Sequence, residues 1–147
     1  MKTLNNYSLL LLAVAICFIS CKKDKATQWS GNYMATVRYQ LYNYSDTTTP
    51  IKDTTYKMVL LTVSKSDGSS RKNAIVDITF YSAQINLTSM NHLPVNDGKI
   101  NYYTTDSGVP FVRTWKGDFT DDSLNLLYRE EDTIMYISQW DIKAIKK

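Results

Sequence analysis

Apolar and polar residues alternate with a two-residue period through most of the chain, and this alternation constrains the fold more than any other feature. In GNYMATVRYQL (31–41), Tyr33, Val37 and Tyr39 share one face, and mostly polar side chains occupy the other. Successive side chains of a β-strand point to opposite faces, so this pattern predicts a strand with one buried face. The segment NAIVDITFYS (73–82) repeats the pattern.

Turn signals divide the alternating segments. SDGSSRKN (66–73) and NDG (96–98) combine Gly, which accepts positive φ, with Asp, which bonds its own backbone, as β-hairpin turns require. The residues around His92, in NHLPVNDG, are predicted to form a turn-rich connection. The predicted strands are 29–43, 54–65, 73–81, 84–89, 99–104, 110–119, 123–130 and 133–145.

Consecutive antiparallel strands joined by short turns have two economical arrangements. A closed up-and-down barrel removes the exposed strand edges, and a two-sheet sandwich covers one face of each sheet. The predicted fold class is therefore all-β: an antiparallel meander of about eight strands that forms an up-and-down β-barrel. A two-sheet β-sandwich is the alternative.

The N-terminal segment has the features of an export signal. Lys2 precedes an apolar run from Leu9 to Ile19, which is shorter than the roughly 20 residues of a bilayer span. FISC (18–21) resembles the lipobox of bacterial lipoproteins. This resemblance implies cleavage before Cys21 and attachment of acyl chains, such as palmitate, to that residue. A plain signal peptide with an incidental cysteine and a permanent N-terminal transmembrane anchor are the alternatives.

These assignments predict a simple domain organisation. Residues 1–20 are the lipoprotein signal peptide, residues 21–28 are the lipidated cysteine and a polar tether, and residues 29–147 are a single barrel domain. The chain has 2 cysteines, and Cys17 would leave with the signal. The mature protein would then contain no disulfide, so its stability would depend on a packed core.

Composition argues against several function classes. The net charge is +3 and the basic residues are scattered, so no nucleic-acid partner is expected. His92 is the single histidine and no His/Cys cluster exists, so no metal site is predicted. The acidic groups DFTDD (118–122) and EED (130–132) have poor spacing for calcium and are predicted to be solvated turns. Without a Gly-x-Ser-x-Gly motif or a phosphate loop, we expect no enzyme activity, no catalytic residue and no cofactor.

Aromatic residues are the remaining candidates for a binding site. The chain has 11 tyrosines, 3 tryptophans and 4 phenylalanines. Tyrosine combines a large apolar face with a hydroxyl, which suits it to a pocket wall. An eight-stranded barrel is just wide enough for side chains to fill it, so both a hollow and a filled interior remain open. The residues predicted to face inward and to contact a ligand are Tyr33, Val37, Tyr39, Phe80, Tyr102, Trp115, Tyr128 and Tyr136.

The lipobox, the Lys/Asp-rich tether and the opening WSGNY (29–33) together resemble the small lipocalin-like, or calycin-like, lipoproteins of Bacteroidota. The resemblance covers nearly the whole chain, as architecture and rhythm. It implies a barrel that binds or shields a small hydrophobic ligand. The alternative is a non-catalytic structural or interaction lipoprotein whose filled barrel or sandwich docks a protein or glycan partner. The resemblance also implies that Trp29 plugs the closed end of the barrel, covered by Arg113 or Arg129.

The same resemblance implies a location in the cell envelope. Acyl chains on Cys21 would be the membrane contact. Lys22, which follows that cysteine, favours the outer membrane, and KKDK (22–25) favours its periplasmic side over surface exposure.

Overall fold

The computed structural model describes residues 24–70, 73–85, 87, 89–105, 111–132 and 135–147. Neighbouring strands pair antiparallel in chain order, and the last strand pairs with the first, which closes the sheet into a barrel. The predicted all-β meander barrel is thus confirmed, and the sandwich is excluded because no strand edge is left to separate two sheets. The signal peptide and Cys21 lie outside the described residues. The elements are α1 Lys25–Trp29, β1 Gly31–Asn43, β2 Lys52–Lys65, β3 Ala74–Tyr81, β4 Ser89–Asn96, β5 Lys99–Thr105, β6 Phe111–Phe119, β7 Ser123–Asp132 and β8 Tyr136–Lys146.

The prediction of a strand over 84–89 is wrong. The fourth strand is Ser89–Asn96, and His92 lies within it rather than in a turn-rich connection. The turn signals of this segment misled because Pro94 and a bulge at His92 stand inside a real strand. Proline is tolerated there because β4 pairs with β5 through only two residue pairs and so behaves nearly as an edge strand. The other predicted strands overlap the observed ones within a few residues.

Part of the predicted tether is folded. Residues 25–28 belong to helix α1, which Asp24 caps by accepting hydrogen bonds from the backbone N–H and the hydroxyl of Thr27. A second partner, Lys65, donates to the same carboxylate at 2.9 Å. These contacts, with that of Lys65 the largest, lower the pKa of Asp24 to about 2. The helix packs Ala26 and Trp29 against the barrel, so it covers one end.

Two β-bulges and one tight turn hold residues at positive φ. Met58 (φ 58°) is the extra residue of β2 opposite β1, and His92 (φ 57°) is the extra residue of β4 opposite β3. The backbone N–H of His92 donates to Asp77 at 2.7 Å, which braces the second bulge. Asp97 and Gly98, both at positive φ, form the β4–β5 hairpin turn that the NDG signal predicts.

The described core residues come from the strands, from α1 and from the connection between β3 and β4. All of them fall between Ala26 and Ala144. Every strand is paired on both sides, so the barrel needs no further segment to complete its sheet. The segment from residue 22 onward is therefore expected to fold as an independent unit.

Candidate ligand-binding cavity

The end of the barrel covered by α1 is filled with side chains. Trp29 stacks on Phe119 with ring centroids 5.0 Å apart, and the Tyr33 hydroxyl donates to the Trp29 carbonyl at 2.6 Å. Burial, and secondarily the charge of Asp122, raises the pKa of Tyr33, so its hydroxyl remains a donor. Trp29 therefore closes this end, but its cover is Phe119.

Neither arginine covers Trp29, so that expectation is wrong. Arg113 lies near the opposite end and pairs with Glu130, and Arg129 lies on the outer face of β7 and pairs with Glu131. Arg129 directly follows Tyr128, which faces inward. Because successive side chains of a strand point to opposite faces, Arg129 faces outward and cannot cover Trp29.

Above the closed end, a second layer of the inner wall is also packed. The strand register aligns Ile100, Gly117, Leu126, Ile142 and Val37 across β5, β6, β7, β8 and β1. Gly117 has no side chain, and the side chains of the other four residues are almost fully buried. No space for a ligand remains at this level of the wall, because such interiors pack to crystal-like density.

The next layer is an aromatic belt, which we define as Tyr102, Trp115, Tyr128, Trp140 and Tyr39. Each is the direct cross-strand neighbour of the next on β5, β6, β7, β8 and β1. Successive ring centroids are 5.4, 5.2, 5.0 and 5.1 Å apart. These spacings are those of favourable aromatic pairs, so each ring of the belt packs against the next around more than half of the barrel.

One step closer to the open end, the belt is followed by a polar collar, defined as Thr104, Arg113, Glu130 and Ser138. These residues are also consecutive cross-strand neighbours. The Arg113 Nε donates to Glu130 at 2.9 Å. The expectation that EED (130–132) forms a solvated turn is therefore wrong. β7 continues to Asp132, and Glu130 faces the interior.

The collar and the belt, apart from Tyr102, line one side of a cavity of about 570 Å³ that opens at the end opposite α1. Residues of β2, β4 and the β3–β4 connection line the other side. Its size is within the range of small-molecule sites. Its lining contains as many polar or charged side chains as aromatic and aliphatic ones. The barrel is therefore filled in its lower half and hollow in its upper half. The lining residues are Tyr39, Lys52, Tyr56, Gln84, Ile85, Leu87, Ser89, Met90, Asn91, Thr104, Arg113, Trp115, Tyr128, Glu130, Ser138 and Trp140.

The described lining residues carry two cations and one carboxylate. Arg113 and Glu130 offset each other, and Lys52 makes no ion pair with a described residue. Its ammonium lies 5.7 Å from the centroid of the Tyr39 ring, at one end of the belt. The described lining residues thus carry one more positive than negative charge.

One buried donor in the belt has no partner among the described residues. The indole N–H of Trp115 makes no hydrogen bond within the described part of the chain, although Trp115 is only 8% exposed. An indole nitrogen is a donor only, and buried tryptophans usually find an acceptor. Leaving such a donor unpaired costs about 1–3 kcal/mol.

The residues predicted to contact a ligand fall into three groups. Tyr39, Trp115 and Tyr128 line the cavity. Three others are buried away from it: Tyr33, Val37 and Phe80 belong to the packed core. The remaining two are more exposed, and neither is among the lining residues: Tyr102 and Tyr136.

The two exposed tyrosines differ in position. Tyr102 completes the belt but is 37% exposed, because the β4–β5 ladder ends at Ile100 and leaves its strand uncovered on that side. The prediction that Tyr136 faces a pocket is wrong. It is the first residue of β8, pairs with Asn43 at the end of β1, and is 46% exposed at the rim.

Trp140 and Tyr56 are the aromatic lining residues that the prediction missed. Trp140 joins Tyr128 to Tyr39 and is 5% exposed. Its alternation with Ile142 signals an inward position, and that signal could have placed it in the site. Tyr56 precedes the bulge at Met58, where the phase of β2 changes, so its position could not be derived from simple alternation.

The other sequence candidates do not form a reactive site. The side chain of His92 is 70% exposed on β4. The described residues contain no group of three or more His, Cys, Asp or Glu side chains placed to hold a metal ion. Within the same residues, no helix has the length and apolar character needed to cross a membrane.

The chain matches no protein-family model, and it has no significant match among curated proteins or solved structures. Its functional assignment therefore depends on the geometry of the cavity.

Proposed function

We propose that this chain is a non-catalytic, lipid-anchored envelope protein that binds or shields a small, predominantly hydrophobic molecule in the upper half of its barrel. The observation that carries the proposal is the contrast between the two halves. The lower layers are packed without space, whereas the belt and the collar line a cavity of about 570 Å³ that opens to solvent. A barrel that served only as a scaffold would gain stability by filling that volume, as its lower half does.

The lipid anchor is supported by the lipobox resemblance of FISC (18–21) and by the position of α1. Cys21 precedes Asp24 by three residues, which extend at most about 11 Å. Asp24 is bound to Lys65 at the last residue of β2, beside the closed end. Acyl chains on Cys21 would hold the closed end near the bilayer, so the cavity mouth would face away from it. We propose the periplasmic side of the outer membrane as the location.

Binding can be tested by titration of residues 22–147 with phenylnaphthylamine, a neutral apolar dye whose emission rises in an apolar site. We expect saturable binding of one dye per chain. A blocking variant, Ser138→Phe, adds a ring to the collar inside the cavity and should weaken binding at least tenfold. The matched control, Asn101→Phe, adds the same ring to the exposed outer face of β5 and should bind like the wild type.

Equal binding by the blocking variant and the wild type would refute the cavity as the site. The absence of saturable binding in the wild type would favour the alternative function, an interaction lipoprotein. That function has one specific observation in its support, an apolar row on the outer wall. Ile145, Met34, Leu60 and Tyr81 are consecutive cross-strand neighbours there, and Ile145, Leu60 and Tyr81 are exposed.

Lipidation has a separate test. Expression of the full chain in a bacterium that processes lipoproteins should yield a protein that begins at Cys21 and carries acyl mass on that residue. The variant Cys21→Ala should remain unacylated and uncleaved at that position. Intact-mass spectrometry distinguishes these products, and an unmodified Cys21 in the wild type would overturn the anchor without affecting the cavity.

A further inference from the structure

The outer wall of the barrel beside the closed end carries an exposed apolar surface. The row of Ile145, Met34, Leu60 and Tyr81 crosses β8, β1, β2 and β3. Met58, at the bulge of β2, adds a side chain that is 78% exposed. We define these five residues as the wall patch. Contiguous apolar surface of this kind marks a contact with another molecule or with a membrane.

The charges around the wall patch favour an anionic partner. Met34, Met58 and Ile145 line a groove of about 490 Å³. Its described lining also contains Lys57 and Lys143 but no carboxylate. Neither lysine forms an ion pair with a described residue. An apolar surface flanked by unpaired lysines suits a bilayer with anionic headgroups, because the lysines are attracted to the headgroups while the apolar side chains enter among them.

One step nearer to the cavity mouth, the charge of the outer wall changes. Arg38 forms an ion pair there with Asp53, and its cross-strand neighbour on β8 is Asp141. Among these three residues the carboxylates outnumber the cations. The surface that suits anionic lipid is therefore confined to the wall beside the closed end.

The lipid anchor would emerge next to the wall patch. Cys21 precedes Asp24 by three residues, which extend at most about 11 Å. Asp24 is bound to Lys65, the last residue of β2. Leu60 lies five residues before Lys65 on the same strand, about 17 Å away. Acyl chains on Cys21 would thus hold the wall patch close to the bilayer at a high effective concentration, which makes the bilayer its favoured occupant.

We propose that the wall patch rests on the bilayer that holds the acyl chains, with Lys57 and Lys143 against anionic headgroups. This inference rests on the lipid anchor of the proposed function and names the surface of the barrel that faces the membrane. The barrel leans on the lower part of its wall, and the cavity mouth, at the opposite end, stays in water.

Methionine oxidation tests this contact, because the chain carries one probe in the wall patch and another at the open end. Met58 is 78% exposed in the patch, and Met135 is 55% exposed in the connection between β7 and β8. Residues 21–147 contain a single cysteine, so Cys21 can be coupled to a maleimide lipid in vesicles. Chloramine-T, a charged oxidant that stays in water, then oxidises the methionines that remain exposed, and peptide mass spectrometry measures each rate.

The proposal predicts protection of the patch alone. On vesicles of phosphatidylglycerol and phosphatidylcholine, Met58 should be oxidised about fivefold more slowly than in the uncoupled protein, which corresponds to a wall docked about four-fifths of the time. Met135 should react at the same rate in both. The double variant Lys57→Gln and Lys143→Gln should nearly abolish the protection, because each lysine changes the docking equilibrium about fivefold. Vesicles of phosphatidylcholine alone should have the same effect on the wild type.

Two matched variants test the apolar part of the contact. Ile145→Glu places a charge in the wall patch and should reduce the protection of Met58 to less than about twofold. Ile51→Glu makes the same change between β1 and β2 at the open end, at a residue of similar exposure, and should leave the protection intact.

Equal oxidation of Met58 on vesicles and in solution would overturn the proposal, and so would equal protection in Ile145→Glu and the wild type. Protection that appears in the uncoupled protein at high concentration would assign the wall patch to a second copy of the chain and overturn the bilayer as its occupant. Because Cys21 is coupled chemically, none of these results depends on acylation in a cell, and the dye titration tests the cavity separately.

Discussion

The hydrogen bond from Tyr33 to the Trp29 carbonyl provides the sharpest test of how the barrel is closed. Tyr33 is fully buried, and its hydroxyl lies 2.6 Å from that carbonyl oxygen. The variant Tyr33→Phe keeps the ring, and with it the apolar packing, but removes the donor. It should therefore isolate the contribution of this one bond between β1 and α1.

The expected loss of stability follows from the burial of both partners. A neutral hydrogen bond contributes about 1 kcal/mol net, and a buried carbonyl deprived of its donor raises the cost toward about 2 kcal/mol. For a domain of this size, that loss should lower the thermal midpoint by roughly 4 to 8 °C. Because Tyr33 lies in the filled half and not in the cavity wall, dye binding should remain unchanged.

Thermal unfolding followed by circular dichroism, with urea titration for the free energy, measures the effect. The control is Tyr103→Phe, which removes a hydroxyl from a tyrosine that is 72% exposed and should change stability by less than about 0.5 kcal/mol. A Tyr33→Phe variant as stable as this control would refute the reasoning, because α1 would then not depend on the bond that joins it to β1.

Three further substitutions test other local features. Met58→Gly should stabilise the protein by about 1 kcal/mol, because Met58 is 78% exposed and held at φ 58°. Lys57→Gly, at the neighbouring position, should destabilise it, and urea titration compares the two variants. Gly98→Ala should cost about 1–2 kcal/mol, because φ is +78° and the new Cβ would lie 3.0 Å from the Phe119 carbonyl; a midpoint equal to that of the wild type would contradict this. Asp24→Ala should cost about 1 kcal/mol at pH 7. The pKa of Asp24 is lowered to about 2 in the folded protein, so its contribution to stability is complete above the unfolded value of 3.8 and is lost as the pH falls toward 2. The stability difference between variant and wild type should therefore be smaller in thermal melts at pH 2.5 than in melts at pH 7.

Local patterns were sufficient where one strand or one turn decides the outcome. Alternation predicted β1, β3 and β7, and the NDG signal predicted the hairpin turn at Asp97 and Gly98. The same reasoning failed at β4, because the edge-like position that tolerates Pro94 depends on how few pairs join β4 to β5. That property belongs to two strands together and has no signature in either of them.

The candidate site shows the same division. The sequence by itself determined that this chain forms a β-meander and which side chains of most strands face inward, because a period of two is a property of each strand alone. Only the tertiary structure decided that Trp140 completes an aromatic belt, that Tyr33 packs below the cavity and that Tyr136 lies at its rim. These outcomes depend on the register between strands and on the helix that covers one end, and register is set when all eight strands close on one another. The hollow upper half, and with it the proposed function, is a consequence of that closure.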